Sequence, residues 1–176
     1  MDTKKVVIFT DGSAINNTKN APGGSAVLIV NRSLLLACSK FGTNNERELD
    51  AIRYALRMIF VNYKQFNCSS IVIYSDSEYS IKAITGEYKA KANLELIKKA
   101  RFYIEELKKL SVEVTFIHVR AHTRNDDDQS FFNNIVDKTA NDLAMKLKAD
   151  GTPKIWYSVP LTETMKNRIE NTRIFS

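Results

Sequence analysis

Four acidic residues occupy comparable positions along the 176-residue chain. Asp11 and Asp76 each follow a short apolar run typical of a buried strand, and Glu48 and Asp137 lie early in amphipathic segments. Carboxylates gathered without Cys or His ligand spacing bind hard cations through oxygen, which favours Mg²⁺ or Mn²⁺ over Zn²⁺. Without a cation, four such charges packed together would repel one another strongly. We therefore predict that these four residues form a divalent metal site.

Each acid on its own has a simpler interpretation. The sequence Asp11-Gly12-Ser13 is also typical of a turn. Glu48 and Asp137 could act as helix caps or as partners of a helix dipole. The four acids together favour the metal site, because all of them stand where strands end or helices begin.

The predicted elements place these acids at one edge of a mixed sheet. Three strands come first, and the second (25–30) and third (33–39) are joined by Asn31-Arg32 as an antiparallel hairpin. The later elements are a helix over 46–63, a strand over 70–75, a short helix ending near 84, a helix over 93–110, a strand over 112–119 and a helix over 134–148. The order βββαβααβα predicts an α/β (α+β) fold with a five-stranded mixed sheet flanked by helices. In this fold two acids end strands and two lie in first helical turns.

Composition limits the class of protein. The formal net charge is +6, so nucleic acid is a plausible anionic partner. The two cysteines, Cys38 and Cys68, form neither a disulfide framework nor a metal-ligand pattern. No apolar run reaches membrane-spanning length, and residues 1–5 carry no signal-like apolar region. We expect an intracellular, cytoplasmic protein that does not use a membrane.

The acids lie within motifs that resemble the type 1 ribonuclease H family. The motifs run in order over residues 4–147: FTDGS at 9–13, GG at 23–24, TNNERELDA at 43–51, YSDSEY at 74–79, VRAH at 119–122 and VDKTANDLA at 136–144. Each motif is weak alone, and the ordered set is specific. The resemblance implies a ribonuclease H-like fold and endonucleolytic hydrolysis of the RNA strand of an RNA–DNA hybrid, leaving 5′-phosphate and 3′-hydroxyl ends.

The resemblance also implies the cofactors and the catalytic residues. Two Mg²⁺ ions, with Mn²⁺ as a substitute, would be held by the four carboxylates, and we expect Asp11 to bridge them from the central strand. Such ions activate a water and stabilise the leaving 3′-oxygen. His122, which lies in a polar loop, would assist proton transfer or product release. The second histidine, His118, alternates within a strand and is expected to be structural.

Ten further residues are candidates for contact with the hybrid. The resemblance places Asn17 or Asn20 near the minor groove, where 2′-hydroxyl groups mark the RNA strand. It assigns Thr43 and Asn93 to a phosphate of the DNA strand. The full set of candidates is Gly12, Ser13, Asn17, Asn20, Thr43, Asn44, Asn45, Glu78, Asn93 and Asn133.

The resemblance ends before the C-terminal residues. We predict a catalytic domain over 1–150 and a tail over 151–176, with a short helix over 162–172 packed on the domain. We expect a monomer with no obligate protein partner. Two other functions compete with hybrid cleavage: a non-catalytic nucleic-acid-binding module, which would have lost at least one carboxylate, and a related metal-dependent DNA nuclease or resolvase.

Overall fold

The computed structural model describes residues 4–120 and 126–175. Within them the strands are β1 (Lys5–Ala14), β2 (Pro22–Ile29), β3 (Leu34–Phe41), β4 (Ser70–Ser75), β5 (Glu113–His118) and β6 (Lys154–Val159). The helices are α1 (Asn44–Val61), α2 (Tyr63–Phe66), α3 (Glu78–Thr85), α4 (Leu94–Lys109), α5 (Asp128–Asp150) and α6 (Glu163–Asn171). Two short 3₁₀ turns, Ile15–Asn17 and Val30–Arg32, connect the first three strands.

The strands form one mixed sheet in the order β5-β4-β1-β2-β3-β6. β1 pairs in parallel with β4, and β4 with β5, while β1–β2, β2–β3 and β3–β6 are antiparallel. The predicted mixed sheet and hairpin are confirmed, but the predicted count of five strands is wrong. The sixth strand comes from the tail and pairs with β3. The paired residues, such as Ser39 and Lys154, are more than 110 residues apart in the sequence. No local sequence pattern predicts such a pairing.

Asp11 lies inside β1 rather than at its end, which corrects the prediction. β1 continues to Ala14 because β2 pairs with it that far, Asp11 opposite Ala26. On its other side the parallel ladder with β4 stops at Thr10 and Ser75. Asp11 is therefore the first residue of β1 without a β4 neighbour, and Asp76 directly follows the last residue of β4.

α1 starts at a complete capping box. Thr43 accepts a hydrogen bond from the Glu46 N–H at 3.2 Å, and Glu46 Oε2 accepts one from the Thr43 N–H at 2.7 Å. The helix accordingly begins at Asn44, two residues before the predicted start. Glu48 is its fifth residue, so it lies just past the first turn and not within it as predicted.

α5 begins six residues earlier than its apolar periodicity predicted. Asp127 caps it by accepting the Ser130 N–H at 2.8 Å, so residues 128–133, which lie before the predicted helix, are helical. Asp137 is consequently the tenth residue of the helix, and its predicted place in a first turn is wrong. Polar residues at a capped helix start resemble loop residues in sequence, which is why periodicity missed them.

The sheet has a hydrophobic cluster on each face. One cluster joins β-strand residues such as Ile8 and Ile73 to α1, α3 and α4. The other joins residues such as Phe9 and Leu28 to α5 and α6. α1 and α5 thus approach the central strands from opposite faces. No helix within the described residues has the length and apolar character to cross a membrane.

Candidate active site

Three carboxylates meet where β1 and β4 diverge. Oxygen atoms of Asp11, Glu48 and Asp76 all lie within 4.8 Å of one another. We call these three residues the acidic cluster. Asp137 does not belong to it but lines the same cavity of about 340 Å³. The structure therefore brings all four predicted ligands to one cavity, with Asp137 entering from α5 on the opposite face of the sheet from α1.

Gly12 allows the close approach of α1 to β1. A Cβ atom at this position would lie 2.2 Å from the Glu48 backbone N and 2.3 Å from the Arg47 backbone carbon. Any side chain would push the start of α1 away from the strand. The glycine was predicted to contact substrate, and the structure supplies a further reason for it: it brings Glu48 against Asp11.

Without a metal ion, burial and mutual repulsion disfavour the charged forms of the carboxylates in the acidic cluster. Burial, followed by the charge of Asp76, raises the pKa of Asp11 well above its ordinary value. Burial and the charge of Asp11 likewise raise the pKa of Glu48. The charges of Asp76 and Asp137 both contribute to the raised pKa of Asp11. Asp11 thus interacts with acids from two other elements that line the cavity.

The acidic cluster fits a hard divalent cation. The Glu48 side chain is buried, and its Oε2 has no hydrogen-bond partner among the described residues. A buried carboxylate oxygen without a donor is costly unless something positive reaches it. Oxygen-only donors at this separation match the ligand preference of Mg²⁺ or Mn²⁺. The donor set therefore agrees with the predicted metal.

Asn141 is a residue of the cavity that the predicted site omitted. Its Nδ2 donates to Asp137 Oδ1 at 3.0 Å, and its Oδ1 accepts a hydrogen bond from the Ser13 hydroxyl. It thereby ties α5 to β1 and orients Asp137. Its position four residues after Asp137 on the same helix face was the available signal. Ser77, which follows Asp76, also lines the cavity.

Several candidate hybrid contacts gather at the start of α1. Asn44 lines the cavity, and its Oδ1 accepts the Ala14 N–H at 3.1 Å. The Asn17 side chain accepts the Asn44 N–H at 2.9 Å, so it holds the loop after β1 against the helix. Thr43 caps the same helix. These residues form one polar surface beside the acids. Such a surface suits the sugar–phosphate backbone of a nucleic acid.

The remaining candidates are more scattered. Asn20 and Asn45 are exposed, and Glu78 is exposed and paired with Lys82 at 2.6 Å. Asn93 precedes α4 with a positive φ of 60° and no side-chain cap bond. Asn133 is 2% exposed, and its Oδ1 has no partner among the described residues. Substrate contact by these residues stays a prediction.

The two histidines differ in what the structure says of them. His122 lies outside the described residues, so its predicted role stays a prediction. His118 ends β5, and its Nε2 lies 3.1 Å from the backbone carbonyl oxygen of Asp76. This hydrogen bond holds the chain directly after β4.

Comparison with known proteins identifies the family. The model of the RNase H family matches residues 3–145. The chain belongs to the ribonuclease H family. Ribonuclease H of Clostridium botulinum is 32% identical over 154 residues, covering 79% of this chain and 95% of that protein. A probable ribonuclease H of Acanthamoeba polyphaga mimivirus is 29% identical over 147 residues, covering 77% of this chain and 64% of that protein. The predicted ribonuclease H enzyme is thus confirmed at the level of the family.

Solved structures show the ribonuclease H fold as well. LC11-RNase H1 in complex with an RNA/DNA hybrid has a TM-score of 0.63 at 21% identity, covering 81% of this chain and 99% of that chain. The N-terminal RNase H domain of a Mycobacterium tuberculosis protein has a TM-score of 0.62 at 20% identity, covering 84% of this chain and 99% of that one. The predicted fold class is confirmed.

Proposed function

We propose that this ribonuclease H family member hydrolyses the RNA strand of RNA–DNA hybrids with two divalent metal ions, leaving 5′-phosphate and 3′-hydroxyl ends. The observation that carries the proposal is the acidic cluster, whose three carboxylates lie within 4.8 Å of one another. The unpartnered Glu48 oxygen supports it. All four acids line one cavity, in contrast to the loss of a carboxylate that a non-catalytic module would tolerate.

The positions of the cavity residues suggest a different role for each of them in hydrolysis. Asp11, Glu48, Asp76 and Asp137 would hold the ions, and Asp11 on the central strand would be the acid shared between them. When bound, Mg²⁺ ions lower the pKa of the attacking water and stabilise charge on the leaving oxygen. Asn141 holds Asp137 at the cavity, and burial of Asp11 and Glu48 keeps bulk water from competing for their oxygens.

The polar surface at the start of α1 supports a duplex substrate. Asn44 lines the cavity, Thr43 and Asn17 lie next to it, and the α1 N-terminus offers a favourable dipole for a phosphate. The net charge of +6 favours a polyanion. The fold neighbour LC11-RNase H1 is solved with an RNA/DNA hybrid. We propose the same ligand for this chain.

The test is cleavage of three end-labelled duplexes of one sequence: RNA–DNA, RNA–RNA and DNA–DNA. Each is incubated with Mg²⁺, with Mn²⁺ and with EDTA. We expect metal-dependent cutting of the hybrid's RNA strand only. The products should accept a label from polynucleotide kinase only after phosphatase treatment, as a 5′-phosphate end requires. Poly(A) polymerase should extend the untreated products, as a 3′-hydroxyl end requires. Binding without cutting in either metal would support the non-catalytic module instead. Cutting of DNA would indicate a different nuclease on the same fold.

A further inference from the structure

One arginine of the C-terminal helix α6 contacts the start of α5. Arg168 donates from Nε to Asp128 Oδ1 at 2.7 Å. Its Nη1 and Nη2 donate to the side chain of Asp126 at 3.2 Å and to the Asp126 backbone carbonyl at 2.9 Å. The guanidinium also lies over the Phe131 ring, 5.0 Å from its centroid. A single side chain from the tail thus holds three residues around the first turn of α5.

Asp128 is the centre of this contact, and we call Arg168, Thr172, Asp126 and Asp128 the α5 clamp. The Thr172 hydroxyl and the Arg173 N–H donate to Asp128 Oδ2, so both carboxylate oxygens receive donors from the tail. Burial alone would raise the pKa of Asp128, but the hydrogen bonds from Thr172 and Arg168 prevail and lower it. The Arg168 and Asp128 side chains are 28% and 27% exposed, so water screens their ion pair only in part.

Apolar packing connects the clamp to the strands that carry the acids. Ile169 of α6 is buried in the same hydrophobic cluster as Phe132 of α5. The Phe132 ring lies 5.6 Å from that of Phe9, and Phe9 stacks on Tyr74 at 4.6 Å. Phe9 and Tyr74 each stand two residues before a member of the acidic cluster. A displacement at the start of α5 would therefore reach the cavity through a packed core.

The clamp also anchors one end of the connection between β5 and α5. At the upstream end, the Val119 N–H donates to the Ser75 carbonyl at 3.0 Å, directly before Asp76. At the downstream end, Arg168 holds Asp126. The upstream end of this connection is thus attached beside a member of the acidic cluster, and the downstream end is attached to α6.

We propose that Arg168 is a positioning residue for the active site. Through the α5 clamp it holds the first turn of α5 and the downstream end of the β5–α5 connection, and so places Asp137 against the acidic cluster. The consequence for catalysis rests on the proposed function. Arg168 and Thr172, the two clamp residues that the tail supplies, lie outside residues 3–145, the region that matches the family model.

Arg168→Ala, Arg168→Lys and the matched control Lys166→Ala test the proposal. Lys166 lies on the same helix and makes an ion pair with Glu163, at 2.8 Å, in which both side chains are about half exposed or more. Three quantities are measured for each protein: kcat and KM for hybrid cleavage, Mn²⁺ affinity by calorimetry, and amide hydrogen exchange by peptide in the metal-free state. Arg168→Lys keeps the charge but not the forked geometry.

We expect Arg168→Ala to lower kcat and Mn²⁺ affinity by about tenfold, the lower end of the effect of residues that orient metal ligands. KM should change little, and exchange should quicken in peptides from 126–133 while β1 and β2 keep their rates. Arg168→Lys should fall between, and Lys166→Ala should match the wild type.

Three results would overturn the proposal: unchanged exchange over 126–133, wild-type kcat and Mn²⁺ affinity despite faster exchange there, or faster exchange throughout the sheet. If the wild type binds Mn²⁺ but does not cleave the hybrid, the proposed function fails on its own. In that case the Mn²⁺ affinities and the exchange rates still decide the role of Arg168.

Discussion

At the residue scale, the site depends on a glycine as much as on its acids. Asp11 and Glu48 come from different elements, and the backbone of α1 fills the space that a side chain at position 12 would occupy. This close contact is what buries Glu48 and raises its pKa together with that of Asp11. The packing of α1 against β1 therefore holds the two carboxylates close together, and the folded backbone keeps them there.

Gly12→Ala should separate Glu48 from Asp11. The added methyl group cannot be accommodated against backbone atoms, so we expect a loss of about 1–3 kcal/mol in the free energy of unfolding, as for an overpacked core. Metal affinity and cleavage should fall as well. Gly86→Ala is the matched control, because its positive φ of 89° costs stability but its Cβ would meet nothing closer than 3.8 Å. Full cleavage by folded Gly12→Ala would contradict the role given to this contact.

Asp11→Asn should reduce hybrid cleavage below detection while the protein stays folded. The amide removes the central ligand charge but keeps the size of the side chain. Asp142→Asn, at an exposed position on α5 where Asp142 pairs with Lys138, is the control and should cleave at the wild-type rate. Steady-state cleavage and circular dichroism of both variants check the prediction. Substantial turnover by the Asp11 variant would remove this residue from the site.

At the scale of elements, the tail is part of the fold. β6 extends the sheet beside β3, and Trp156 of β6 stacks on Tyr54 of α1, with ring centroids 3.9 Å apart and planes 2° apart. α6 packs its buried Ile169 against the other face. The C-terminal residues thus contribute to the hydrophobic clusters on both sides of the sheet.

Trp156→Ala should destabilise the protein without changing its chemistry. The indole is partly buried, so we expect a loss of about 2 kcal/mol, less than for a fully buried aromatic residue. Ile155→Ala, one residue earlier and 89% exposed, should have almost no effect. Urea unfolding of both variants checks the difference, and cleavage per folded molecule should be unchanged. Equal midpoints for the two variants would mean that the stacking of Trp156 on Tyr54 adds no stability.

At the scale of the whole molecule, two helices converge on one sheet edge from opposite faces. α1 approaches β1 at Gly12, and α5 approaches β2 at Gly24, where a Cβ would lie 2.2 Å from the Ala140 carbonyl oxygen. Ala140 lies one turn beyond Asp137 on α5. Glycines on both faces thus let the two helices bring carboxylates to the same cavity.

The metal-free protein should lose stability as pH rises. The pKa values of Asp11 and Glu48 are raised in the folded state. The folded state therefore binds more protons than the unfolded state above about pH 4. The free energy of unfolding should fall as the pH rises from there to the raised pKa values. Thermal unfolding in EDTA between pH 5 and 8 measures this slope. It should be smaller in Asp11→Asn, and Mg²⁺ should restore stability most at the higher pH. A flat or rising profile for the wild type in EDTA would contradict the shifts.

Local patterns predicted much of this structure. The apolar runs and caps placed β4 at the residues observed and most other elements within about two residues. The four acids were found from the predicted ends and beginnings of elements and from the family motifs, although Asp11 lies inside β1 and Asp137 is the tenth residue of α5. Asn44 and Thr43 followed from the family motifs.

The sequence by itself thus determined the family, the element order and the four carboxylates, since each depends on residues close together in the chain. Only the tertiary structure decided that Asp11 lies inside a strand, that α5 starts at Asp128, and that a sixth strand joins the sheet. Two of these depend on a partner far along the chain, which is β2 for Asp11 and β3 for β6. The start of α5 is capped locally by Asp127 and is also held by the distant Arg168. Such contacts form through packing and hydrogen bonds that no local spacing encodes.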